Sequence, residues 1–343
     1  MKRKLINILN HISNDFSGCV FVEENNETII KEAFGYAENA NKRENNVDTR
    51  FPTASAGKVF VATAILSLIE QKKLSFKTSL NEVLSFDLGN IDRTITIEQL
   101  LNHTSSVPDY YDESIMSDYA MLWQNIPNYT IRSSKDLLPL FTNKPLQSVT
   151  NNKFQYNNSG YVLLGLILEE ISQMPLDEYL TVNIFNPCKM NSTGYFELDR
   201  LPENCANAYI YDKQSESYYT NIYSVDAKGS GAGGAFITVG DVHQFWRCLL
   251  KGKIISKNML DRMLSVQASD GDDYYGYGVW LKKEGQCYIP YFTGSDPGVS
   301  FMTSFDVQDQ LIVTVVSNKE QNVWKIHNEI RKVMKQGEKN DEH

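Results

Sequence analysis

Residues 49–75 read TRFPTASAGKVFVATAILSLIEQKKLS, and the interpretation of this segment decides the fold. From Val59 to Ile69 only Thr63 and Ser67 interrupt the apolar residues. A helix apolar on every side has no face to give to water, so the run predicts a buried central helix with the rest of the chain wrapped around it. A chain of 343 residues is long enough to build that core, as two intimately packed units or one large one. Just ahead of the helix, Ser55 and Lys58 are three residues apart and would share one helical face. Lys58 would sit in the positive field of the helix N-terminus and against the core, and both disfavour its ammonium form. A neutral lysine beside a serine is a usable general base. Taken alone, however, Ser-x-x-Lys is a common spacing, and a helix cap with a surface lysine accounts for it equally well.

Outward from that helix, residues 18–22 (GCVFV) and 28–36 (TIIKEAFGY) read as a hairpin across the polar turn ENNE. The N-terminal MKRKLINILNHISNDF begins basic, but Asn7 and Asn10 break its apolar part, so it reads as a first amphipathic helix rather than an export signal. Between about 75 and 200 the chain is Asn-rich, with helical patches such as TIEQLLNH and SGYVLLGLILEEISQ (159–173). The last third changes character. Segments 275–282 (YGYGVWLK), 286–293, 299–305 and 310–317 (QLIVTVVS) predict an antiparallel meander. A closing helix follows, with Val323, Ile326, Ile330 and Val333 on one stripe. The expected architecture is therefore α/β, with residues 1–75 and 205–335 forming a discontinuous α/β domain. Residues 76–204 form an inserted, mostly helical region, and 336–343 (QGEKNDEH) a disordered tail.

Composition narrows the function. A hydrophobic fraction of 42% and a charged fraction of 22% suit a globular chain, and no apolar run is long enough to span a bilayer. A formal charge of -9 excludes the basic field that a nucleic-acid partner needs. Cys19, Cys188, Cys205, Cys248 and Cys287 are scattered, odd in number and without a Cys-x-x-Cys pair. They read as free, mostly buried thiols in a reducing compartment, hence a cytoplasmic protein unless a leader has been removed. His11, His103, His243, His327 and His343 have no metal-ligand spacing. GSGAGG (229–234) matches a phosphate-binding fingerprint, but an extended AFITVG follows it where a helix should open. It reads instead as a flexible loop bordering a cleft.

Two further motifs complete the picture. In YNNSG (156–160), Tyr156 and Asn158 precede an apolar helix; a phenol can relay protons and an amide can hold a carbonyl or an amine. In YFTGSDPGVSF (291–301), Gly294 on an edge strand would let a substrate approach the backbone, and the next N–H could face a developing oxyanion. Separately, a capped helix entry and a plain β-turn explain them. Together with Ser55 and Lys58, they resemble the serine β-lactamase and penicillin-binding protein superfamily, in which Tyr-x-Asn marks class C β-lactamases, DD-carboxypeptidases and family VIII esterases. ITIEQLLNHTSSVPDY (95–110), NPCKMNSTGYF, GAGGAFITVGDVHQFW (231–246) and YGYGVWL are also similar to this family, in its order.

The resemblance implies a β-lactamase/transpeptidase-like fold, an antiparallel sheet flanked by helices with the active site against the inserted helical region. It implies Ser55 as acylated nucleophile, Lys58 and Tyr156 as the proton-handling pair, and Asn158 as a substrate-orienting amide. Phe292, Thr293, Gly294 and Ser295 would form the substrate-binding strand. The backbone N–H groups of Ser55 and Ser295 would make the oxyanion hole, with no metal or organic cofactor. The substrate would be a small molecule or peptide; oligomeric state is not encoded legibly. Two departures stand out. Phe292 occupies the place of the family's lysine or histidine, a cation that holds a substrate carboxylate. Losing such a partner costs about 1.5–3 kcal/mol, so weak β-lactam turnover is expected unless Lys282 or Lys283 compensates. Ser106 stands where a glycine is usual, and His103 beside it reads as structural. The leading expectation is a serine hydrolase acting on an ester, amide or peptide. The alternatives are a β-lactamase or D-alanyl-D-alanine carboxypeptidase proper, and a penicillin- or peptide-binding module without turnover.

Overall fold

The computed structural model describes residues 2–12, 15–145 and 153–341. Its frame is an eight-stranded, wholly antiparallel sheet drawn from both ends of the chain. The strands are β1 (Gly18–Glu24), β2 (Glu27–Phe34), β3 (Ala268–Asp270), β4 (Asp273–Tyr275), β5 (Trp280–Glu284), β6 (Cys287–Asp296), β7 (Val299–Asp306) and β8 (Leu311–Ser317). They lie in the order β2-β1-β8-β7-β6-β5-β4-β3, so the N-terminal hairpin docks on the last strand. Asn25 and Asn26, both at positive φ, make the turn between β1 and β2. Asparagine tolerates that conformation, which matches the twist of a hairpin. Between β6 and β7 the turn is Pro297-Gly298, with Gly298 at φ +76.

Alternation along the strands decides which helices each face meets. Cys19, Phe21, Phe301, Phe305, Ile312 and Val316 share one apolar cluster with the central helix α2 (Lys58–Glu70). Val20, Val22, Met302, Val313 and Val315 pack on the other face against α1 (Lys2–Ile12) and the closing helix. Because both faces are covered, β8 is buried at every residue, which explains a continuous apolar run where a half-exposed strand would alternate. Helix α2 is buried from Lys58 through Leu66, as its sequence predicts. Between residues 76 and 204 the described chain contributes no strand to this sheet. It carries α3 (Ile97–Leu101), α4 (Asn158–Ser172) and several shorter helical segments, among them Leu80–Val83 and Leu176–Leu180. Helix α5 (Val239–Leu250) then returns to the sheet, and α6 (Val323–Asp341) closes it.

Two expectations need correction. The stretch YGYGVWLK is not one strand: residues 276–279 leave the ladder between β4 and β5. A Cβ on Gly276 would lie 2.1 Å from the Met263 carbonyl oxygen, and one on Gly278 would lie 2.3 Å from Ala62 Cβ, so Gly276 presses the loop onto the end of the short helix Lys257–Met263 and Gly278 presses it onto α2. Helix α6 runs on through Asp341, and residues 342–343 lie outside the described residues. Finally, Cys188 and Cys248 form a disulfide, Cα atoms 5.4 Å apart, and only Cys19, Cys205 and Cys287 are free thiols among the described residues. Sixty positions separate the two partners, and they meet only because the end of the helical region packs against α5. Free-thiol usage therefore no longer argues for a reducing compartment. Among the described residues no helix is long and apolar enough to cross a membrane.

The disulfide is open to a direct count. Thiol titration of the denatured, unreduced protein should find three reactive thiols and five after reduction. Reduction should lower unfolding stability by about 2–4 kcal/mol, read as a fall in urea midpoint.

Candidate active site

The floor of the site is a short 3-10 turn, Ala54–Gly57, that runs straight into α2 at Lys58. Ala54 lies at φ +47, a left-handed conformation that costs a residue with a Cβ about 1–2 kcal/mol. The loop carrying the glycine motif holds it there. Gly234 N donates to Ala54 O at 3.0 Å, and a Cβ on Gly233 would sit 2.2 Å from that oxygen. This loop does border the cleft, but it is packed rather than flexible, with Gly231 pressed against the Tyr161 carbonyl. The strained turn presents Ser55 half-buried at the cleft.

Lys58 is 2% exposed, and its Nζ donates to Ser55 Oγ (2.8 Å), Asn158 Oδ1 (2.8 Å) and Ala232 O (2.7 Å). Burial drives its pKa down to about 8, against the opposing pull of Glu113, Asp109 and more distant carboxylates. Two of its three partners, an amide oxygen and a carbonyl, can only accept. When the amine is neutral its two N–H groups therefore stay with Asn158 and Ala232, and its lone pair faces the Ser55 hydroxyl.

The second wall begins at the N-terminus of α4. Asn157, not Asn158, caps that helix, its Oδ1 accepting from Gly160 N at 2.7 Å. Asn158 is thereby free to point inward, where both ends of its amide are engaged by protein: Oδ1 takes Lys58, and Nδ2 donates to Asp109 Oδ2 (3.3 Å) and Tyr111 O (3.1 Å). Those two acceptors set which way round the amide lies. Asp109, 4% exposed, also accepts from Asn158 N, Ser159 N and Ser159 Oγ at 3.0–3.2 Å. Burial pushes its pKa up to about 6 despite those hydrogen bonds. Tyr156 lies with its ring 5.0 Å below Lys58 Nζ and packs on Trp280 and His103. Burial holds its phenol well above the usual range, partly offset by a hydrogen bond with Ser55. His103 Nδ1 accepts from Asn157 N at 3.1 Å, and burial holds its pKa well below the usual imidazole range.

The third wall is the exposed edge of β6. Strand β5 stops pairing at Tyr291, so Phe292–Asp296 continue past it toward the Ser55 turn. Gly294 is required there, since a Cβ would lie 2.2 Å from Thr53 O and 2.8 Å from Ser55 N. Ser295 lines the cleft. The rest of the expected substrate strand is placed differently. Phe292, 2% exposed, faces the core among Trp246, Phe245 and Phe301 and does not line the cleft. Its register position puts it on the face that α5 covers. Thr293 donates its hydroxyl to Phe301 O at 2.7 Å and is likewise absent from the lining. Lys282 turns to Asn328 and Glu284, Lys283 lines a separate depression with Asp272 and Tyr274, and neither reaches the cleft.

Above Ser55 opens a cleft of about 630 Å³ whose lining includes Glu113, Asp118, Asp226, Asp296 and Glu320 and, among the described residues, no lysine or arginine. Asp226 is raised to about 6 by burial, and Asp296 to about 8 by burial and by Asp226. Sequence reading missed Asp109, the Ala232 carbonyl and this acidic lining. Asp109 was visible only as the single acid after Glu98 in ITIEQLLNHTSSVPDY.

Fold and site define the class of protein. The Beta-lactamase family model matches residues 14–335, and the chain belongs to that family. It is 30% identical over 325 residues to penicillin-binding protein 4* of Bacillus subtilis, covering 90% of this chain and 69% of that one. The crystal structure of a penicillin-binding protein from Bacillus halodurans superposes with a TM-score of 0.91 at 35% identity, over 96% of this chain and 99% of that one. A D-amino acid amidase from Ochrobactrum anthropi shares the fold, with a TM-score of 0.81 at 19% identity over 98% and 100% of the two chains. The fold is thus the β-lactamase/transpeptidase-like one, an antiparallel sheet flanked by helices.

Ser106 offers a test of the loop that carries Asp109. It lies at φ +57 with a buried hydroxyl that has no partner among the described residues. Ser106→Gly should raise stability by about 1 kcal/mol in urea unfolding, by removing both the strain and the unpaired group.

Proposed function

We propose that the protein is a serine hydrolase that works through an acyl-enzyme on an ester or amide lacking a carboxylate beside the scissile bond. The observation that carries this reading is the buried Lys58 amine 2.8 Å from Ser55 Oγ, with its other two hydrogen bonds committed to acceptors. Neutral Lys58 takes the Ser55 proton as Oγ attacks the substrate carbonyl carbon. The oxyanion is received by the backbone N–H groups of Ser55 and Ser295. The proton passes by way of the Tyr156 phenol to the leaving oxygen or nitrogen, which departs and leaves Ser55 acylated. Water, deprotonated by the same pair, then attacks the acyl carbon, releases the acid and restores Ser55. Asn158 and Asp109 act as positioning residues for the lysine. Substrate preference follows from charge. With Phe292 in the core and acids along the cleft, a carboxylate would meet no lysine or arginine of the cleft lining among the described residues, and Asp226 already repels Asp296 there. An amidase shares this fold, which keeps amides beside esters as substrates.

A panel of p-nitrophenyl esters, amino acid amides, D-alanyl peptides and nitrocefin tests this directly. Turnover should favour the carboxylate-free substrates, and Ser55→Ala should abolish it while the melting temperature is kept. Nitrocefin hydrolysis as efficient as ester hydrolysis would overturn the specificity, and activity surviving in Ser55→Ala would overturn the mechanism. A persistent adduct in intact-mass spectra, without turnover, would favour a binding module.

Because the neutral amine is the active form, kcat/KM should rise with pH and level off through a midpoint near 8. Lys58→Ala should slow acylation by several orders of magnitude and remove that limb. Asn158→Asp would place a carboxylate against the amine and stabilise the ammonium, so its limb should move up by about 1–3 pH units.

A further inference from the structure

Beside the catalytic cleft lies a second, smaller chamber of about 210 Å³. Its larger side chains are apolar, Phe196, Leu198, Val225, Phe236 and Val299 among them, with Asn207, Thr220 and Asn221 also on its walls, and it shares Ala54, Gly234, Asp226 and Asp296 with the cleft. Well-packed interiors hold few voids larger than a water molecule, and an unfilled apolar void costs stability. A chamber of this size opening beside the nucleophile is therefore shaped for something that arrives from the cleft. Its walls are firmly seated: Phe196 packs on Phe236 at 6.0 Å and under the Arg50 guanidinium at 5.9 Å, and Phe236 is hydrogen-bonded through its backbone to Gly194. A preformed apolar pocket with a few polar groups at its mouth is the usual form of a ligand subsite.

Position decides which part of a substrate it takes. Ala54 immediately precedes Ser55, and Asp296 immediately follows Ser295, so the mouth lies next to where the reacting carbonyl would sit. Ser55 and Asn158, which line the cleft, are absent from the lining of the chamber. A leaving group must lie near the proton donor, on the side of Lys58 and Tyr156, which directs the acyl portion to the opposite side. We infer that this chamber is an acyl-side subsite for an uncharged apolar group, a short branched or linear alkyl chain or a single aromatic ring. The inference rests on the acyl-enzyme reading of Ser55. Asp226 at the entrance adds a filter, since an acyl group bearing its own carboxylate would have to pass its charge.

The test is a series of p-nitrophenyl esters, acetate, butyrate, hexanoate and phenylacetate, run beside p-alkylphenyl acetates in which only the leaving group grows. In the wild type, kcat/KM should rise about fourfold for each added acyl CH2, the equivalent of about 0.8 kcal/mol, until the chamber is full, and phenylacetate should exceed acetate. The leaving-group series should be nearly flat. Leu198→Trp, which narrows the chamber from a half-exposed position, should pull the butyrate-to-acetate ratio toward one. Leu201→Trp on the same lining is the second variant if the first melts below the assay temperature. A flat acyl series, a ratio unchanged in the folded variant, or a preference that follows the leaving group would each overturn the assignment. Ser55→Ala separates the two readings: acetate hydrolysis surviving in it defeats the acyl-enzyme mechanism, whereas its loss alongside a flat acyl series defeats the subsite alone.

Discussion

The amine of Lys58 is held out of water at the start of a helix that is itself buried on all sides, and its three hydrogen bonds join the turn before α2, the start of α4 and the glycine loop before α5. An ionised amine in such a place is costly, so the environment lowers its pKa toward neutrality. The same contacts aim it. Asp109 and the Tyr111 carbonyl fix the Asn158 amide, the amide fixes one N–H, the Ala232 carbonyl fixes the other, and the remaining direction is toward Ser55. One buried group thus sets both the basicity and the orientation of the site.

Backbone contacts too close for side chains set the rest. Gly233 against the Ala54 carbonyl and Gly294 against Thr53 and Ser55 bring a loop and a strand edge onto the strained turn from two sides. Ala54 is kept left-handed by that enclosure, and strain of this kind persists only where the surroundings over-determine it. The turn's rigidity is therefore a property of the whole α2–sheet interface, with the Cys188–Cys248 bond tying α5 to the end of the helical region behind it.

Charge distinguishes this cleft from one made for anions. The position where the family carries a cation is filled by Phe292, which serves an aromatic cluster, and the open side is lined by acids, among which Asp226 raises the pKa of Asp296. The chamber next to Ala54 continues the same pattern, its larger side chains being apolar and its lining, among the described residues, free of lysine and arginine.

Much of this was legible in the amino-acid order, because periodicity and local spacing are properties of adjacent residues. The all-round apolar run after Lys58 required a buried helix, the alternating late segments a meander, and the Ser55–Lys58 spacing one helical face. What only the tertiary structure decided were relations between distant positions. The partnership of Cys188 with Cys248, the direction of Phe292 and Thr293 relative to the cleft, the break at 276–279 and the place of Asp109 beneath Asn158 all depend on which element packs on which. A strand's sequence states that its side chains alternate, but the face that becomes core is settled only when a helix covers it.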